Sequence, residues 1–295
     1  MDERAALSVV GGAVPAAGDD CAVLDRLVVT TDMLHETSDF PDGTTRYTAG
    51  WRAVGASLSD VAAMGAEATA ALAVYGAPTF EESELSAFLA GCLDVCEAVD
   101  AEYVGGDLDT HAEFTVSTTA FGRTDTPVYR SGATPGEAVC VTGTVGRSGA
   151  ALRLFEAGET GRANELFRFE PRLAAGLALA PYANAMMDSS DGLARSLHQL
   201  AEASGCGMSV SYADVPIDPA VRSVTDSDEG ERELGVHFGE DFELVCTIPE
   251  DELEAAEAAT PVELSRIGTV TDTGIRMDGK SLPDRGFTHA GPEGE

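Results

Sequence analysis

Apolar positions recur along the chain with two periods, and their alternation predicts a protein that mixes strands and helices. Residues 27–32 (LVVTTD) are a β-branched run ending in polar residues and predict a strand. Over 45–64, Trp51, Val54, Leu58, Val61 and Ala62 recur at helical spacing, and Gly65 closes the helix. ATAALAVYGAP predicts a strand ending at Pro78. A helix over about 81–99 follows, opened by Thr79 with Glu82 three residues on, the pattern of a capping box. AEYV predicts a short strand, GGD a turn, and EFTVSTTAFG a longer strand.

The stretch GRTDTPVYRSGATPGE, rich in Gly, Pro and Thr, is expected to join two domains, residues 1–130 and 131–295. AVCVTG then opens a second series. Helices are predicted near Ser148–Glu156, Pro171–Ala180 and Gly192–Ser204, with strands at MSVSY and ELVCTIP. Asp278–Gly279 marks a hairpin near the end. Both halves mix elements, so the class is α/β or α+β.

Composition narrows the function. The chain has 295 residues and is 44% hydrophobic, enough for a substantial core. No apolar run is long enough to span a bilayer, and MDERAALSVV lacks the regions of a signal peptide. A cytoplasmic location is therefore expected. Acidic residues number 51 against 18 basic ones, a formal charge of −33 that repels nucleic acid and anionic lipid. Lys280 is the only lysine. Such an acidic coat suits a high-salt cytoplasm, and a polyphosphate substrate would need metal ions to approach it. Cys21, Cys92, Cys96, Cys140, Cys206 and Cys246 show no CxxC spacing and read as free thiols, mostly buried.

The candidate chemistry lies in aspartates set among small residues. They are Asp19 and Asp20 in GDD, Asp32 in VVTTDML, Asp60 in SLSDVAAMG, Asp107 in GGD, and Asp188 and Asp191 in MMDSSDG. Carboxylates gathered near a packed wall need cations, or they take up protons. Oxygen ligands suit Mg²⁺, which commonly bridges phosphates. VVTTD is expected to turn Thr30, Thr31 and Asp32 toward one ion. Ser190 or Asp191 could equally be a plain helix cap. A Walker loop and a protein-kinase site each need a lysine that is absent here. GTVGRSG reads as a tight turn with a slight chance of phosphate contact.

GDDCAVL, VVTTDML, SLSDVAAMGA, VGGD, RSGATPGE, VTGTVGRSGAAL, EPRLAAG, MMDSSDGLARSL, GEDFEL and GFTHA, in this order over nearly the whole chain, resemble the thiamine-monophosphate kinase family. That family lies within the aminoimidazole ribonucleotide synthetase-like superfamily. The resemblance implies a two-domain α/β fold whose N-terminal domains pair into a barrel across a homodimer. It implies transfer of the γ-phosphoryl of ATP onto thiamine monophosphate, assisted by several Mg²⁺ ions and by K⁺, with no covalent or general-base residue. By position, Asp20, Thr30, Thr31, Asp32, Asp60, Asp107, Asp188 and Asp191 would be metal ligands. Gly106, Asp107, Arg130 and Ser190 would contact ATP, and Asp39, Glu240 and Phe287 the thiamine moiety. Arg130 could instead simply pair with a neighbouring acid, and Phe287 could be core packing.

Three departures touch the acceptor pocket. Asp39 stands where the family has a histidine, GEDFEL lacks a double glycine and a tyrosine, and GFTHA lacks the aromatic after its histidine. Two other readings stay open. A ligase-type ATPase of the superfamily would phosphorylate an amide or formyl oxygen. A non-catalytic nucleotide- or cation-binding protein would keep the metal sites without turnover.

Overall fold

The computed structural model describes residues 9–14 and 16–286. Two sheets account for the strands. The first contains β1 (Ala22–Leu24), β2 (Leu27–His35), β3 (Glu67–Ala77), β4 (Glu102–Thr110) and β5 (Thr115–Arg123), in the order β1-β2-β5-β3-β4. The second contains β6 (Ala138–Thr142), β7 (Ala185–Asp188), β8 (Gly207–Val210), β9 (Leu244–Ile248), β10 (Leu264–Thr271), β11 (Ile275–Met277) and β12 (Lys280–Ser281), in the order β12-β11-β8-β10-β6-β9-β7.

Helix α1 (Arg46–Ala63) lies between them. Thr45 caps it by accepting from the Thr48 amide, and Gly65, at φ +60°, releases the chain at its end. Val54, Leu58 and Val61 have no exposed surface, and the core around them continues from Val28 and Phe114 to Cys140 and Leu244 of the second sheet. Helix α2 (Glu82–Ala98) crosses α1 closely. A Cβ at Gly91 would stand 2.0 Å from the Tyr47 carbonyl oxygen, and one at Gly50 2.2 Å from that of Phe88. Only glycine permits this approach. The joint is packed too: Val128 is buried and its amide donates to the Met64 carbonyl.

The remaining helices used below are α3 (Arg147–Glu156), α4 (Thr160–Phe167), α5 (Leu173–Leu179) and α6 (Leu193–Ser204). The Asp278–Gly279 hairpin forms as expected, with Met277 opposite Lys280 and both turn residues at positive φ.

Two local expectations are corrected. GGD is no turn: β4 runs through it, paired in parallel with β3. Gly105 and Gly106 absorb a register shift there, and a Cβ on Gly106 would fall 1.6 Å from the Ala73 carbonyl oxygen. The capping box does not form either. Helix α2 starts at Glu82 with Glu81 as its cap, so Thr79 is too early to bond its first turn.

Candidate active site

Helix α1 is the spine of the site. One turn of it presents Ser57, Ser59 and Asp60. The Ser57 hydroxyl donates to the Asp32 carboxylate on β2. Ser59 donates to Asp188 at the end of β7, at 2.6 Å, and the Thr30 hydroxyl donates to Asp60, also at 2.6 Å. Asp20, just before β1, completes the group. Asp20, Asp60 and Asp188 each offer a carboxylate oxygen, all within 4.8 Å of one another.

Three acids this close resist ionising together. Burial, then Asp20, pushes the Asp188 carboxyl up to about 8. Burial raises Asp60 well above its ordinary value, with Asp32 and Asp188 adding to it. Burial raises Asp32 as well, against the Ser57 hydrogen bond. Asp188 Oδ1 is buried and has no hydrogen-bond partner among the described residues. An all-oxygen donor set with one oxygen left over fits a hard divalent cation such as Mg²⁺.

Arg130 flanks the group. Its guanidinium grips Asp20 through Nη2 at 2.7 Å and Nε at 3.3 Å, and its amide donates to Asp19. Burial works against its charge, but Asp20 and Asp188 more than offset this, so it stays a cation. The neighbouring-acid pairing weighed for Arg130 is thus present, at the edge of the carboxylate group.

Other residues fall elsewhere. Strand alternation separates Thr31 from Thr30 and Asp32: its hydroxyl donates to the Thr118 carbonyl, and its side chain is exposed on the other face of the sheet. The expectation that all three face one ion is therefore corrected. Gly106 and Asp107 sit on β4, the opposite edge strand. The register Asp32–Thr118–Ala73–Gly106 puts three strand spacings, about 14 Å, between β2 and β4. Asp107 aligns with Val74, Ser117 and Met33, on the same outward face as Thr31.

Ser190 and Asp191 lie in the turn between β7 and α6. Gly192, not either of them, is the helix cap, so the plain-cap reading fails. The Ser190 carbonyl accepts from the Glu240 amide at 2.6 Å. The glycine-rich turn before α3 is not open to phosphate, because Asp241 already accepts from the Gly146 and Ser148 amides. Burial raises the Asp241 carboxyl to about 7 despite those bonds.

Asp39 and Glu240 share a cavity of about 410 Å³, walled by Phe40, Leu152, Phe167 and Phe238. Asp39 accepts from the His35 amide and the Ser38 hydroxyl, each at 2.7 Å. Glu240 is ion-paired with Arg52 of α1, which the sequence reading missed. The one available signal was an arginine inside the apolar run WRAVGASL, in a chain poor in basic residues. Phe287 lies outside the described residues; Gly286, the last of them, rests against the Asp191 carbonyl.

Two half-chains joined by one buried helix, with carboxylates gathered where they meet, define an AIR synthase related protein. Residues 18–124 match the N-terminal domain of that family and residues 134–279 its C-terminal domain. The chain is 61% identical to the thiamine-monophosphate kinase of Halobacterium salinarum, over 98% of this chain and 100% of that one. It is 38% identical to that of Methanospirillum hungatei, over 98% and 99%. The chain belongs to the thiamine-monophosphate kinase family. Its fold superposes on the solved structure of AaThiL complexed with AMPPCP and TMP at a TM-score of 0.89, with 27% identity over 98% of this chain and 97% of that one.

Proposed function

We propose that this protein transfers the γ-phosphoryl group of ATP directly onto the phosphate of thiamine monophosphate, giving thiamine diphosphate and ADP. One observation carries the reading. Helix α1 holds Asp60 in the carboxylate group and, eight residues earlier, Arg52 against the wall of the Asp39–Glu240 cavity. Eight residues of helix span about 12 Å, the scale of a polyphosphate laid between donor and acceptor.

Asp20, Thr30, Asp32, Asp60, Asp188 and Asp191 would hold Mg²⁺. Bound there, Mg²⁺ supplies the positive charge that lets two anionic phosphates approach. Arg130 adds a guanidinium beside it, and Ser190 contacts ATP from the same turn. The apolar cavity walls exclude water and seat the acceptor's rings. Asp39, Glu240 and Phe287 are its proposed contacts, with Asp39 answering the cationic ring. The acceptor oxygen is already anionic, so no side chain need remove a proton.

Thr31, Gly106 and Asp107 take their roles across a homodimer. The outward face of the first sheet carries Thr31 with Met33 and Val74, which are 56% and 38% exposed, and no element of the described chain covers it. A second sheet packed there would bring the partner's face toward Thr31, and 14 Å within one chain would cease to matter. The two domains are taken as residues 1–130 and 131–295. Among the described residues no helix is long and apolar enough to cross a membrane. A cytoplasmic, high-salt setting fits the acidic coat. A K⁺ requirement is tested by replacing KCl with NaCl.

The test is ADP release in molar KCl with MgCl₂ and ATP, with thiamine monophosphate or with thiamine. Release that requires thiamine monophosphate supports the reading. ADP formed regardless of it would favour the ligase-type chemistry, and no turnover would favour a binding protein.

A further inference from the structure

Arg52 is 2% exposed, although it carries a charge. Its guanidinium carbon lies 3.6 Å from the centre of the Phe167 ring, with Phe169 at 5.2 Å and Phe242 at 5.5 Å. Phe169 and Phe242 stack on each other at 4.1 Å. Nη1 donates to the Phe167 carbonyl and, at 3.3 Å, to Ser148 Oγ. Nη2 donates to the Glu240 carboxylate and, at 3.4 Å, to the Glu240 carbonyl. A buried cation with this many partners is fixed in place, and it is costly to leave unpaired.

Glu240 is fixed from several sides. Its φ is +63°, in the left-handed region that side chains seldom take. Its amide is held by Ser190, and its carbonyl by the Ser148 hydroxyl as well as by Arg52. Among the described residues only Arg52 bonds the carboxylate itself, and Glu240 lines the cavity.

We propose that Arg52 is a positioning residue for the acceptor: its guanidinium, clamped by Phe167, Phe169 and Phe242, holds the Glu240 carboxylate on the cavity wall in the one orientation that meets the bound ring system. The inference rests on the kinase reading above. Glu240, held by Arg52, orients the acceptor by accepting hydrogen bonds.

The test is a cycle of Arg52→Lys, Glu240→Gln and the double variant. Thiamine monophosphate KM, kcat and ATP affinity are measured for each. Lysine keeps the charge but has no planar fork to bridge a carboxylate and a carbonyl. Arg52→Lys is expected to raise the thiamine monophosphate KM tenfold or more. Its kcat and ATP affinity should stay within threefold of the unaltered protein. In the Glu240→Gln background the same change should add less than twofold. Equal losses of ATP and acceptor binding, or effects that multiply in the double variant, would overturn the proposal. If Arg52→Lys does not fold, Ser148→Ala carries the test, because its hydroxyl sits between Arg52 and the Glu240 carbonyl. It should raise the acceptor KM at least threefold at constant ATP affinity, and an unchanged KM overturns the proposal. Failure of the unaltered protein to form thiamine diphosphate would remove the kinase reading and this role together, whereas variants that behave like an active parent would remove this role alone.

Discussion

Asp188→Asn offers the sharpest test of the carboxylate group. In the ion-free protein the Asp188 carboxyl is raised from 3.8 to about 8, by burial first and Asp20 second. The folded state therefore holds a proton that the unfolded chain has already released between those values. Stability is present at low pH, falls as pH rises from about 4 toward 8, and is fully lost above 8. A shift of about four pH units corresponds to roughly 6 kcal/mol at most. Coupling to Asp60 and Asp32 shares that cost, so about 3 kcal/mol is expected for Asp188 alone. Asparagine keeps an oxygen to accept from Ser59 but carries no charge. With EDTA in molar KCl, Asp188→Asn should match the parent near pH 4 and melt about 6 °C higher at pH 8.5, taking about 2 °C per kcal/mol. MgCl₂ should raise the parent's melting temperature more at pH 8.5 than at pH 6, and should barely move the variant. The assay is thermal unfolding followed by circular dichroism. Parallel EDTA curves for parent and variant across this range would refute the reasoning, because Asp188 would then titrate as an ordinary carboxylate.

Three further outcomes are expected. Asp60→Asn and Asp107→Asn should each be inactive alone, and mixing them under subunit exchange should restore up to about a quarter of the activity, since a mixed dimer keeps one intact site; no recovery would place Asp107 and Asp60 in the same chain's site. Gly106→Ala should destabilise the protein severely, through the clash of its Cβ with the Ala73 carbonyl, and a melting temperature within 2 °C of the parent, about 1 kcal/mol, would contradict that geometry. Of the six cysteines only Cys206 is partly exposed, the other five being buried, so Ellman's reagent should label one thiol in the native protein and six in denaturant.

The sequence made α1 legible because its period is strong and small residues surround Asp60. Thr30, Asp32 and Asp188 followed for a similar reason: carboxylates among Gly, Ser, Thr and Met are unusual on a water-facing surface. Thr31 was misplaced because composition was read without the two-residue period of a strand, which turns neighbours to opposite faces. GGD was read as a turn because paired glycines usually make one. Here pairing with β3 overrides that local preference and uses the glycines for a close approach. Arg52 stayed hidden because an isolated arginine on a helix ordinarily faces solvent. Its burial depends on Glu240, a partner 188 residues further along the chain. Asp241, which closes the start of α3, was hidden for the same reason.

The most direct measurement follows the phosphorus. The protein would be incubated in molar KCl with MgCl₂, [γ-³²P]ATP and thiamine monophosphate, and the products separated by chromatography. The account predicts label in thiamine diphosphate, one for one with ADP, and none in inorganic phosphate beyond the blank. Label that appears only in inorganic phosphate, or ADP without labelled thiamine diphosphate, would contradict direct transfer between the carboxylate group and the Asp39–Glu240 cavity.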